Sequence, residues 1–257
     1  MPDCQSSGVL AGKSAVITGG GRGIGRAIAE QYIRAGASVV CCGRSNRPDG
    51  YPVEAHWLRA DVSRMEDVQR LRSTVEQLFG RLSILVNNAG VQIEKTILET
   101  TDQDWQTLMG VNAFGVFACS RELIPLMHDG GVIINMGSIS GKAADPGLAI
   151  YNASKAFVHG LTRSIAVDHG PGIRCNAIAP GWIMTEMADA AFSAAKDPER
   201  ARQDALSRHP AGRFGSPSDI AELATWLASD AASFATGQCY ALDGGLTATS
   251  PLNLDLE

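Results

Sequence analysis

Residues 17–28 read ITGGGRGIGRAI, with glycines at 19, 20, 21, 23 and 25 and an arginine among them. Glycine loses more backbone freedom on folding than any other residue, so a cluster of this kind needs a reason. A strand ending at Thr18 and a helix from about Ile24 leave the glycines in the turn between them. There, side chains would block a phosphate from the unpaired N–H groups of the helix. The spacing fits neither G-x-G-x-x-G nor G-x-x-x-x-G-K-[ST], because Arg26 and Ala27 follow Gly25; it fits T-G-x-x-x-G-x-G across Thr18, Gly19, Gly23 and Gly25. The stretch predicts a dinucleotide cradle, with a purely structural turn as the alternative.

Working outward, short β-branched runs (SAVIT, SVVCC, HWLRA, LSILVN, GVIINMGS, GIRCNAIA, QCYALD) alternate with helical periodicity at about 23–35, 64–79, 102–128, 151–169 and 217–229. That alternation predicts an α/β protein with a parallel sheet and crossover helices. Pro217 suits a first helical turn, with Ser218 or Asp219 available as its cap. Between Arg44 and Ala55, Pro48, Asp49, Gly50 and Pro52 predict a short loop in place of a crossover helix. Residues 182–212 form the longest stretch without a simple assignment, and a long connection of this kind reads as a substrate lid. At 257 residues the chain fits one domain, 1–257.

The formal charge of −5 gives no overall attraction to nucleic acid. No stretch approaches a membrane span and the amino terminus does not read as a secretion signal, so the expectation is a cytoplasmic protein with no membrane partner. Cysteines at 4, 41, 42, 119, 175 and 239 include no C-x-x-C pair and read as reduced core residues. His56, His128, His159, His169 and His209 lack ligand spacing, so no metal is expected.

The chemistry resides in YNASK. Tyr151 and Lys155 are four residues apart, hence on one face of a helix, where an ammonium beside a phenol favours the phenolate. A free phenol titrates near ~10, and proton transfer near neutral pH asks for about 4 kcal/mol of help, for which Lys155 is the local source. Ser138 ends the strand-like run GVIINMGS at the carboxyl edge, where open α/β sheets bind ligands, and its hydroxyl can hold a substrate oxygen.

Together with Asp61-Val62, Asn87-Asn88-Ala89-Gly90, Asn112, Pro180-Gly181-x-x-x-Thr185 and Asp243-Gly244-Gly245, these motifs resemble the short-chain dehydrogenase/reductase family over nearly the whole chain, in its 3-oxoacyl reductase-like branch of about 250 residues. The resemblance implies a Rossmann-type, doubly wound, three-layer fold with seven parallel strands in the order 3-2-1-4-5-6-7 and NAD(P) across the carboxyl edge. It implies a catalytic set of Asn112, Ser138, Tyr151 and Lys155. Tyr151 exchanges a proton with the substrate oxygen, Ser138 orients that oxygen, Lys155 lowers the tyrosine pKa and binds ribose, and Asn112 completes a water-borne proton relay. It also implies cofactor contacts at Gly19, Gly21, Arg22, Gly23, Ile24, Gly25, Arg44, Asp61, Val62, Asn88, Ala89, Gly90, Tyr151, Lys155, Pro180, Gly181, Ile183 and Thr185. A homotetramer is the family expectation.

In relatives that use NAD, an acidic residue at the end of the second strand accepts bonds from the adenosine ribose; here Gly43 and Arg44 stand there. Arg22 and Arg44 resemble the two basic positions of NADP-preferring members, so NADP(H) is expected over NAD(H), with NAD use possible. The substrate expectation is a small ketone or secondary alcohol. Trp182, Ile183, Met184, Met187 and Phe192 give either an apolar lid face or simple packing onto the body. Rival readings are a catalytically silent cofactor sensor or scaffold, an NAD-preferring sugar or dihydrodiol dehydrogenase, and an isomerase or dehydratase.

Overall fold

The computed structural model describes residues 8–249; Cys4 lies outside the described residues. Seven parallel strands run in the order β3-β2-β1-β4-β5-β6-β7: β1 (Ser14–Thr18), β2 (Ser38–Gly43), β3 (His56–Arg59), β4 (Leu82–Asn87), β5 (Met127–Met136), β6 (Ile173–Pro180) and β7 (Cys239–Leu242). The central strands carry continuous apolar runs, such as Ala15–Ile17, Ile84–Val86 and Val132–Ile134, because helices cover both faces. On one side, Ile17, Ile84 and Ile134 pack with Ile28 and Tyr32 of α1 (Gly23–Arg34) and Ile220 and Leu227 of α8 (Pro217–Ala228). On the other, Val16, Leu85 and Ile133 pack with Leu71 of α2 (Met65–Phe79), Cys119 and Leu123 of α4 (Val116–Leu123), and Ile165 of α5 (Ala149–His169). Cys41, Cys42, Cys119 and Cys175 are free and buried, as expected, and burial pushes the thiols of Cys41, Cys119 and Cys175 up to about 12.

The helical stretch expected at about 102–128 forms from Asp102 to Leu126, but not as one regular α-helix. α3 (Asp102–Met109) passes through a π-helical turn, Gly110–Gly115, into α4, a short 3₁₀ turn follows at Ile124–Leu126, and β5 already begins at Met127. At this turn the helix backbone lies against a residue distant in the chain: a Cβ on Gly115 would lie 2.7 Å from Val62 Cγ2, so only glycine permits the approach. Pro125 then ends the helical run. Residues 182–212, expected to lack simple helices, contain α6 (Glu186–Ala194) and α7 (Pro198–Ser207), capped by Thr185 and Asp197. α8 is capped by Ser216 in a capping box with Asp219, rather than by Ser218.

The carboxyl ends of the central strands are pinned by buried amides. Asn87 Nδ2 donates to Asn135 Oδ1 (2.9 Å) and Ser120 Oγ (3.1 Å), and Asn135 Nδ2 donates to Thr162 Oγ1 (2.9 Å). These bonds fix β4 and β5 just before their loops turn into the cavity described next.

Candidate active site

A cavity of about 850 Å³ runs along the carboxyl edge of the sheet. Every cofactor contact expected from the sequence borders it, and so do Ser138, Tyr151 and Lys155. Asn112 does not line it. Its side chain is committed: Nδ2 donates to Val91 O (2.9 Å) and Ser154 Oγ (3.1 Å), and Oδ1 accepts from Val91 N (2.9 Å). The amide therefore ties the loop after β4 to α5, with both Nδ2 hydrogens and one lone pair of Oδ1 used in doing so.

One end of the cavity is built for phosphate. Gly19 has φ +65°, a left-handed conformation that glycine adopts without strain. A Cβ on Gly25 would overlap the Gly19 carbonyl oxygen and Asn88 Nδ2, so helix and turn can close up only around glycine. α1 begins with no side-chain cap and no acid in its first turn, as do α4 and α5, but its end is the one at the glycine turn bordering the cavity. Its first N–H groups and positive dipole end are thus left for an anionic ligand. Thr18 Oγ1, absent from the expected contacts although it heads the motif, accepts from the N–H groups of Asn88 and Ala89 (3.0 Å each) and holds that wall in place. The two arginines differ. Arg22 is paired with Glu186 of α6 at 2.5 Å, an exposed contact that joins the glycine turn to the long connection. The exposed guanidinium of Arg44 has no ion-pair partner among the described residues.

At the other end, Tyr151 and Lys155 project from one face of α5, with Lys155 Nζ 5.6 Å from the Tyr151 ring centre. The Tyr151 phenol interacts with the Ser138 hydroxyl, whose oxygen also caps the turn Ile139–Gly141 by accepting from Ser140 N (3.1 Å). The expectation that Lys155 lowers the tyrosine pKa is not met. Burial raises the phenol above its ordinary value, the Asp145 carboxylate adds to the rise, and the Ser138 hydrogen bond only partly offsets them. Lys155 is itself buried, donates to Met136 O (2.9 Å), and is brought down to about 8 by desolvation. The low dielectric that would strengthen its pull on the phenol also destabilises its own charge.

One turn beyond Lys155, His159 is buried against Gly137 and Gly141, and its Nε2 has no partner among the described residues. Burial, with Lys142, Lys155 and Arg163 nearby, draws its pKa down to about 4. Its folded-state value thus lies below the ordinary 6.5, so between these values the unfolded chain binds the extra proton and stability falls as the pH falls. The unfolding midpoint of the wild type should drop between pH 6.5 and 4, with a shallower slope in His159→Leu. Equal slopes would remove His159 as the source.

A parallel sheet with a glycine cradle at one helix terminus and a tyrosine–lysine face at the same edge is the frame of a dinucleotide-binding α/β protein. The family model described as Enoyl-(Acyl carrier protein) reductase matches residues 19–247. The 3-oxoacyl-[acyl-carrier-protein] reductase FabG of Thermotoga maritima is 37% identical over 248 residues, covering 92% of this chain and 98% of that protein. The NADP-dependent (R)-specific alcohol dehydrogenase of Lentilactobacillus kefiri is 37% identical over 254 residues, covering 93% and 98%. Among solved structures, ligand-free aldohexose dehydrogenase of Thermoplasma acidophilum superposes with a TM-score of 0.89 at 32% identity, covering 96% and 98%. The chain belongs to the short-chain dehydrogenase/reductase family and is an oxidoreductase of that family, acting on carbonyl and alcohol groups.

The cavity also has walls that the motifs did not include. Trp57 and Pro48 border its cradle end, and Asp145, Leu148 and Met187 border it as well. The apolar stripe of the 182–212 connection divides its roles. Phe192 is buried, stacked on Trp182 (4.7 Å between centres) and packed near Phe214, while Met187 stays exposed at the cavity wall.

Proposed function

We propose that this enzyme is an NADP(H)-dependent carbonyl reductase or secondary-alcohol dehydrogenase with Ser138, Tyr151 and Lys155 as its catalytic residues. The observation that carries the reading is that all three border the same cavity as the uncapped α1 terminus and its glycine cradle. A bound nicotinamide supplies the hydride. The protein supplies a phenol that burial keeps protonated at neutral pH, the form needed to donate a proton to a carbonyl oxygen. Ser138 positions that oxygen beside the phenol, and Lys155 brings positive charge to the same face. Asn112 acts as a positioning residue, holding the loop after β4 against α5. Ile139, Leu148, Met187 and Ala191 give the wall an apolar character that suits a small ketone with an apolar arm. On this reading residues 182–212 serve as the lid of a single 1–257 domain, and the subunits form a homotetramer.

NADP(H) is favoured by Gly43 in place of a carboxylate and by the unpaired Arg44 at the cavity wall; the L. kefiri relative is named for NADP. A screen of ketones, 3-oxoacyl thioesters and keto sugars with NADPH and NADH tests both halves of the proposal. Ketone-dependent oxidation with higher kcat/KM for NADPH is expected. A charged hydrogen bond is worth ~1.5–3 kcal/mol, so Arg44→Ala should raise the KM for NADPH by about 10- to 100-fold and leave that for NADH almost unchanged. An NADH preference in the wild type would falsify the cofactor assignment, and a panel that consumes neither cofactor would favour the silent-sensor alternative.

A further inference from the structure

The end of β2 abuts an aromatic cluster that the short connection 44–55 brings to the cavity. Trp57 of β3 pairs in register with Cys41 of β2, and the benzo edge of its indole points between Gly43 and Gly21. A Cβ on Gly43 would lie 3.0 Å from Trp57 Cη2 and 3.2 Å from Cζ2; one on Gly21 would lie 3.1 Å from Cη2. The ring is held from several sides. Its Nε1 donates to Ser45 O (3.3 Å), Tyr51 meets it edge-on at 5.3 Å between centres, and the Tyr51 hydroxyl donates to Gly20 O (2.7 Å). The guanidinium groups of Arg26 and Arg47 flank the Tyr51 ring at 5.7 and 5.9 Å from its centre. Trp57 therefore cannot swing away cheaply, because each escape breaks a packed contact.

We propose that Trp57 is a specificity-determining residue for the dinucleotide: it keeps position 43 to glycine and so excludes the carboxylate that would bind a ribose diol. The inference rests on the NADP(H) reading above. An aromatic ring carries its positive partial charge at the edge, and this edge borders the same part of the cavity as Arg44 and Arg22. The exclusion at position 43 is therefore steric, a matter of the crowding by the ring edge, while the positive edge and the arginines suit a ligand phosphate.

The test is a double-mutant cycle on the full-length protein, with Kd for NADPH and for NADH measured by cofactor fluorescence in wild type, Gly43→Asp, Trp57→Val and the double variant. Overpacking of 1–3 kcal/mol corresponds to about 5- to 150-fold, so Gly43→Asp alone should weaken both cofactors within that range. Adding Trp57→Val should then recover NADH binding by about tenfold or more while NADPH stays weak. If Gly43→Asp binds NADH equally well in both backgrounds, the proposal is overturned. It is also overturned if Trp57→Val lowers Tm but leaves the NADH recovery absent, since a merely structural tryptophan behaves that way. Should Gly43→Asp fail to fold, Gly43→Ala adds only the crowding atom, and its loss of NADPH affinity must be relieved by Trp57→Val. A wild type that binds NADH more tightly would defeat the cofactor reading alone, because coupling between positions 43 and 57 is still read in the NADH arm.

Discussion

Tyr151→Phe is expected to lower kcat by about 10²- to 10⁴-fold, the range that a positioned proton donor contributes, while the Kd for NADPH changes little. The substitution removes one oxygen from a half-buried ring and leaves the Lys155 bond to Met136 O and the Ser138 turn in place. Its effect should therefore appear in turnover and not in cofactor affinity, as expected for an interaction used in the reaction step. Single-turnover kinetics with NADPH, beside a binding titration, separates the two. If the variant reduces ketones at the wild-type rate, the phenol is not the proton donor.

The second large effect is expected at Gly25. In Gly25→Ala the new methyl meets the Gly19 carbonyl, which is backbone, and the Asn88 amide, which bridges Thr18 O (3.0 Å) and Gly19 O (3.1 Å). Neither can yield without opening the turn against α1. Overpacking of this kind costs about 1–3 kcal/mol, or about 2–12 °C in Tm for a chain of this size, and dinucleotide affinity should fall with it. Gly160→Ala on α5 is the matched control. Its nearest neighbour is the Arg163 side chain at 4.0 Å, so the methyl enters open space and should stabilise the helix by up to about 1 kcal/mol. Tm should move in opposite directions in the two variants, and NADPH affinity should fall only in Gly25→Ala; a Gly25→Ala protein as stable as wild type would show that the turn has slack.

These two sites also mark where the sequence is most legible. The glycine turn and the Tyr151–Lys155 spacing are local patterns, set by backbone sterics and helical period, and they pointed to one sheet edge. LSILVN reads as a strand and is one, Leu82–Asn87, because a strand covered on both faces shows an apolar run, here Ile84–Val86, instead of alternation. What local pattern could not carry is what depends on distant neighbours. The π turn at Gly110–Gly115 lies against Val62, which is 48 positions upstream of Gly110 and invisible to helical periodicity. The caps of α6 and α7 are present as Thr185 and Asp197-Pro198, but the Ala-rich and charged segments behind them have too little apolar contrast to set a face. The raised phenol and lowered ammonium are properties of burial, which spacing alone does not encode. Trp57 carries no motif at all; its importance comes from the register that lays β3 beside β2.

The thiols sealed between the layers carry a practical consequence. Cys41, Cys42, Cys119 and Cys175 sit on two strands and one helix of the core, buried and held far from the reactive thiolate form. Alkylating reagents reach them only when helices lift from the sheet, so their labelling rate in native buffer works as a clock for how often the protein breathes.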